Sequence, residues 1–80
     1  MKNDELVLKL VKKLGSRYVE RKKILKRAEA EGLSNRTTDK ALYSATYDKK
    51  WLTWKGSHLI EGNEVFSLTK EGEQQLAQLD

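Results

Sequence analysis

The 80-residue chain contains no cysteine and no proline, and only one histidine and one phenylalanine. Without cysteine there is neither a disulfide brace nor a thiolate metal site. With His58 alone, a zinc centre lacks its ligands. The missing cysteines also suit a reducing compartment, so a cytoplasmic location is the expectation. Lys and Arg interrupt every apolar run after a few residues, so no membrane span and no secretory leader is predicted. No glycine-rich phosphate loop, nucleophile elbow or metal-ligand spacing occurs, so neither an enzyme nor a bound cofactor is expected. Nothing marks a linker or a repeat, and residues 1–80 read as one domain. A chain of this size buries only ~60% of its unfolded surface, which leaves little margin for misplaced groups.

What is abundant is charge. The net charge is +4, from sixteen Lys and Arg against twelve Asp and Glu, and it is unevenly spread. Residues 12–27 carry Lys12, Lys13, Arg17, Arg21, Lys22, Lys23, Lys26 and Arg27 against the lone acid Glu20, whereas the last twenty residues are acidic. One basic patch on a small domain points to a polyanionic partner, most often nucleic acid.

The pattern over residues 4–14 predicts a first helix. Asn3 or Asp4 can cap it, Leu6, Val7, Leu10, Val11 and Leu14 form its apolar stripe, and Gly15 stops it. Tyr18 and Val19 suit a very short strand. A second helix is expected over 21–31, with Ile24, Leu25 and Ala28 inward, Arg21, Lys22, Lys26 and Glu29 in solvent, and Gly32 as its stop. Ser34 is a good N-cap for a third helix over 35–50. On its wheel Thr38, Ala41, Leu42, Ala45 and Lys49 share one side, of which the first four can pack inward. The opposite side carries Arg36, Lys40, Tyr43, Ser44 and Tyr47, with Thr37 beside them. Small residues on the inner side permit the close helix approach of a helix-turn-helix.

Beyond Lys50 the apolar period changes from 3.6 to 2, so a hairpin is expected over 51–68. Two registers remain open. Pairing Trp54 with Phe66 places Leu52, Trp54, Phe66 and Leu68 on one face and leaves GSHLIEGN as the loop. Pairing Ile60 with Val65 across Gly62-Asn63 gives a tight hairpin in which Leu59 meets Phe66, and a bulge at Gly56 could reconcile the two. Trp54 is expected in the core, where a domain with one Phe needs bulk, and Trp51 partly outside it. A last helix is expected over 70–79, with Thr69 as cap and Leu76 and Leu79 docking it. Gly72 stands where a capping box would have Glu.

KILKRAEAEGLSNRTTDKAL and EVFSLTKEGEQQL, in this order and separated by a hairpin, resemble the winged helix-turn-helix family. The resemblance covers nearly the whole chain and implies an α+β fold: a three-helix core, a short β-hairpin wing and a C-terminal helix. It also implies a third helix that enters the major groove of double-stranded DNA, N-terminal half first. That role falls on Asn35, Arg36, Thr37, Lys40, Tyr43 and Ser44. Arg can bridge guanine and Asn adenine, while Lys40 and the hydroxyls of Thr37, Ser44 and Tyr47 can bind phosphate. Lys22 and Lys23, with Arg17 and Lys55, are the further backbone candidates. The wing departs from the family habit, because Glu61 and Glu64 at its tip would repel phosphate and only Lys55 and His58 near its base are cationic. Asp39, on the flank of the third helix, could accept from cytosine or repel.

The leading expectation is thus a small, sequence-specific transcriptional regulator, with a second copy completing a two-fold site. A protein-interaction module using Leu59 and Ile60 is the alternative. An RNA or single-strand binder stacking bases on Trp51 and the tyrosines is the third reading.

Overall fold

The computed structural model describes residues 2–56 and 64–79. Helix α1 spans Asn3–Lys13. Its N-cap is Lys2, one residue ahead of the expected Asn3 or Asp4, and the Lys2 backbone N–H donates to Glu5 Oε1 at 3.2 Å. Val7, Leu8, Leu10 and Val11 are buried, and Leu6 and Leu14 are half-buried. Leu8 lies off the expected stripe but is fully covered, because α1 touches three further helices and the sheet and so needs more than one apolar face.

Both α1 and α2 (Arg21–Ala30) end in a Schellman closure. Ser16 N–H donates to Val11 and Gly15 N–H to Lys12; Leu33 N–H donates to Ala28 and Gly32 N–H to Glu29. Gly15 and Gly32 hold φ of 130° and 90°, a region open to glycine at little cost. Gly32 thereby sets the turn between α2 and α3 (Asn35–Tyr43). On α2, Ile24 and Ala28 are buried as expected, Leu25 is only half-buried, and Arg21 is half-buried where solvent was expected.

The sheet is antiparallel and three-stranded in the order β1–β3–β2. Strand β1 is Val19–Glu20, β2 Leu52–Lys55 and β3 Val65–Leu68. Trp54 pairs with Phe66 and Lys55 with Val65, which excludes the tight register in which Ile60 would meet Val65. No bulge is needed, since β2 ends at Lys55, before Gly56. Val19 pairs with Phe66 on the other edge of β3, and Ser16 and Tyr18 also fasten to this strand. Leu68 N–H donates to the Ser16 carbonyl at 2.7 Å and Tyr18 N–H to Ser67 Oγ at 2.9 Å.

Trp51 is partly outside the core as expected, but Trp54 does not fill the core. Trp51 packs partly buried against the core, while Trp54 is 47% exposed. Leu52 fills the inner position of β2, while Trp54, paired with Phe66, stays largely in solvent. Its ring covers Gly56, where a Cβ would stand 2.8 Å from Trp54 Cζ2.

Helix α4, Lys70–Leu79, starts where the sequence places it. Thr69 Oγ1 accepts from Gly72 N–H at 3.0 Å and donates to the Lys50 carbonyl at 2.6 Å, while Thr69 N–H donates to the Trp51 carbonyl at 2.9 Å. The position that a capping-box Glu would occupy lies against the Trp51 carbonyl. A Cβ on Gly72 would be 3.2 Å from that carbonyl carbon and closer still to its oxygen. Among the described residues, four helices and this small sheet make an α+β domain, an arrangement compatible with a winged helix.

Candidate nucleic-acid interface

Helix α3 is built from its cap outward. Ser34 Oγ accepts from Thr37 N–H at 3.1 Å and donates to Thr37 Oγ1 at 3.0 Å, and Thr38 Oγ1 donates to the Ser34 carbonyl at 2.9 Å. Thr38 is therefore buried with its hydroxyl satisfied, beside Ala41, Leu42 and Ala45. This inner face is the one read from the wheel.

The α-helix stops at Tyr43, and Ser44–Asp48 form a π turn rather than continuing α3 to Lys50. Lys49 N–H reaches back to the Ser44 carbonyl at 3.0 Å and Trp51 N–H to Ala45 at 2.8 Å. The wider turn takes up one extra residue. It brings Thr46 inward beside Ala45 and turns Lys49 outward, where its ammonium lies 6.0 Å from the Trp51 ring centroid. Thr46 is 9% exposed, and its hydroxyl has no partner among the described residues.

The outer face presents Asn35, Arg36, Lys40, Tyr43 and Tyr47 together, all exposed. Tyr43 and Tyr47 touch, with ring centroids 4.6 Å apart and a tilt of 47°. Thr37 and Ser44 are half-buried, and the Thr37 hydroxyl is engaged by the cap, so both contribute less surface than expected.

Asp39 is not left to solvent on the helix flank. Arg21, the first residue of α2, grips it in a two-pronged pair, with Nε 3.0 Å from Oδ1 and Nη2 on Oδ2. Arg21 also approaches Glu64 Oε2 at 3.6 Å, and its backbone N–H donates to the Glu64 carbonyl at 2.9 Å. The hydrogen bond to Asp39 holds the guanidinium pKa above its ordinary value, against the opposing effect of burial. One arginine thus joins the starts of α2 and β3 to the middle of α3.

The basic run of residues 12–27 does not form one patch. Lys12 pairs with Glu73 at 3.4 Å in the α1–α4 groove, which Lys9 and Lys13 also line. Lys23, Lys26 and Arg27 surround Leu14. Arg17 lies with Lys55, Tyr18 and Trp54 along the sheet. Lys22 is exposed on α2. A run in sequence is divided here because α1, the β1 approach and α2 point its members in different directions. His58, Leu59, Ile60 and Glu61 lie outside the described residues.

Sequence reading missed Tyr18 and Trp54, which are 68% and 47% exposed, and the Arg21–Asp39 pair. For Trp54 a signal existed: Gly56, two residues on, gives a large ring room to lie flat over the backbone. For the ion pair there was none, since its partners are 18 residues apart. Among the described residues no cluster of His, Asp and Glu could hold a metal ion, and no helix is long and apolar enough to cross a membrane. Comparison with protein-family models, curated proteins and solved structures gave no match.

Proposed function

We propose that this chain is a winged-helix domain that binds double-stranded DNA through α3 and acts as a small transcriptional regulator. The observation that carries this reading is the outer face of α3. It offers Asn35, Arg36 and Lys40 to solvent while its one acid, Asp39, is held by Arg21. A face cleared of free carboxylate can approach phosphate, and its cations and amide match guanine and adenine edges. Tyr43 and Tyr47 extend the contact surface. A single module of this size makes few contacts, so two copies on a two-fold site complete the reading.

Binding to a mixed-sequence duplex, followed by fluorescence anisotropy across a salt series, tests it. Affinity is expected to fall steeply with salt, with a log–log slope of roughly −0.9 for each phosphate neutralised. On a selected site, Arg36→Ala should cost about 1–3 kcal/mol and relax sequence preference, while Lys22→Ala should weaken every duplex alike and flatten the slope by about 1. Equal losses from both changes on every sequence would remove groove reading by Arg36.

The Arg21–Asp39 pair gives an independent test. Arg21→Ala releases a carboxylate onto the DNA-facing helix and should weaken duplex binding. Adding Asp39→Ala should recover most of that loss. Both partners are a third or more exposed, so unfolding stability should change by no more than about 1 kcal/mol. A double variant that binds as poorly as Arg21→Ala would show instead that Arg21 itself contacts DNA.

A further inference from the structure

We propose that the cleft between the π turn and the hairpin receives a single unpaired DNA base. This deepens the duplex reading of α3 and rests on it. The cleft has a volume of about 360 Å³ and is lined by Leu42, Tyr43, Thr46, Tyr47, Trp54 and Phe66, with Arg21, Asp39 and Glu64 also at its wall. Its size falls at the small end of the ~300–1,000 Å³ typical of ligand sites.

Four of the six aromatic side chains of the protein line this one cleft. Three of them stay exposed: Tyr43 at 65%, Tyr47 at 51% and Trp54 at 47%. A domain short of core volume gains from burying such rings, so leaving them in water marks a surface kept for contact. The kind of contact follows from the geometry of nucleic acid. A paired base presents only its edges to a groove, which polar side chains read. Aromatic rings recognise the π-face, and a base shows that face only when unpaired.

One further feature fits a base better than an aliphatic peptide anchor. Arg36 and Lys40 are exposed on α3, the helix that also gives Leu42 and Tyr43 to the cleft, and are cations suited to the phosphates that flank a displaced base.

Three probes decide it: a fully paired duplex, the same duplex with one unpaired base, and the matching single strand. Each is titrated by anisotropy and by tryptophan fluorescence. The duplex with the unpaired base should bind at least about fivefold more tightly than the paired one and quench fluorescence. Trp54→Phe should keep the preference and lose the quenching, while Trp54→Ala should lose both. Equal binding of the two duplexes without quenching overturns the inference and leaves the duplex reading standing. Quenching by the single strand with no duplex binding supports the cleft and overturns duplex recognition. No binding of any probe overturns both, and the cleft then fits an apolar peptide.

Discussion

Replacing Gly72 with alanine should destabilise the domain by about 3 kcal/mol, although alanine is the better helix former by about 1 kcal/mol. The sign is decided at the Trp51 carbonyl, which stands where the new Cβ must go. That carbonyl cannot yield cheaply. It is main chain, and it accepts from Thr69 N–H at 2.9 Å, next to the Lys50 carbonyl that accepts from Thr69 Oγ1 at 2.6 Å. Overpacking costs roughly 1–3 kcal/mol, and each strained hydrogen bond adds about 0.5–1.5 kcal/mol. Together they exceed the propensity gain. For a domain of this size the loss lowers Tm by about 12–24 °C. Urea unfolding followed by circular dichroism measures it, and an unchanged or higher midpoint would mean that α4 docks differently.

Leu42→Ala should cost a similar amount, about 3 kcal/mol, by another route. Leu42 is among the largest fully buried side chains and belongs to the one core cluster that α1, α2, α3 and the sheet share. Truncation removes transfer energy and leaves a cavity, together ~2–5 kcal/mol for buried leucines. A chain of this length has roughly 4–12 kcal/mol in total, so the variant should be partly unfolded near 37 °C. Leu25→Ala on α2 is the internal comparison. Leu25 is only half-buried, and its loss should be clearly smaller. Equal losses at the two sites would contradict the burial described for α3.

The Gly72 contact also explains why the C-terminal helix begins as it does. Thr69 caps with its hydroxyl alone, because the backbone of the α3–β2 connection occupies the space of the usual acidic partner. In the sequence, that glycine reads only as a missing Glu.

What the sequence determined by itself was whatever depends on residues a few positions apart. Gly15 and Gly32 end their helices because the closing hydrogen bonds span five residues or fewer. Ser34 and Thr69 cap because their hydroxyls reach an N–H three residues on. The change of period at Lys50 and the alternation in LTWK and VFSL mark the strands, but they left two registers open, and the pairing of Trp54 with Phe66 came from the structure. The outward row of Arg36, Lys40, Tyr43 and Tyr47 was legible for the same reason, with Thr38, Ala41, Leu42 and Ala45 claiming the inside.

Tertiary structure alone decided the rest, since its partners are far apart in sequence and no local pattern encodes which will meet. That Trp54 stays exposed while Trp51 packs partly buried against the core is one such outcome. The π turn that brings Thr46 inward answers to the link back from Trp51 to Ala45. The division of the basic run follows from the directions of three separate elements. The pairing of Arg21 with Asp39 needs α2 and α3 to cross before two guanidinium nitrogens can face one carboxylate, and only that crossing clears the outer face of α3 of its acid.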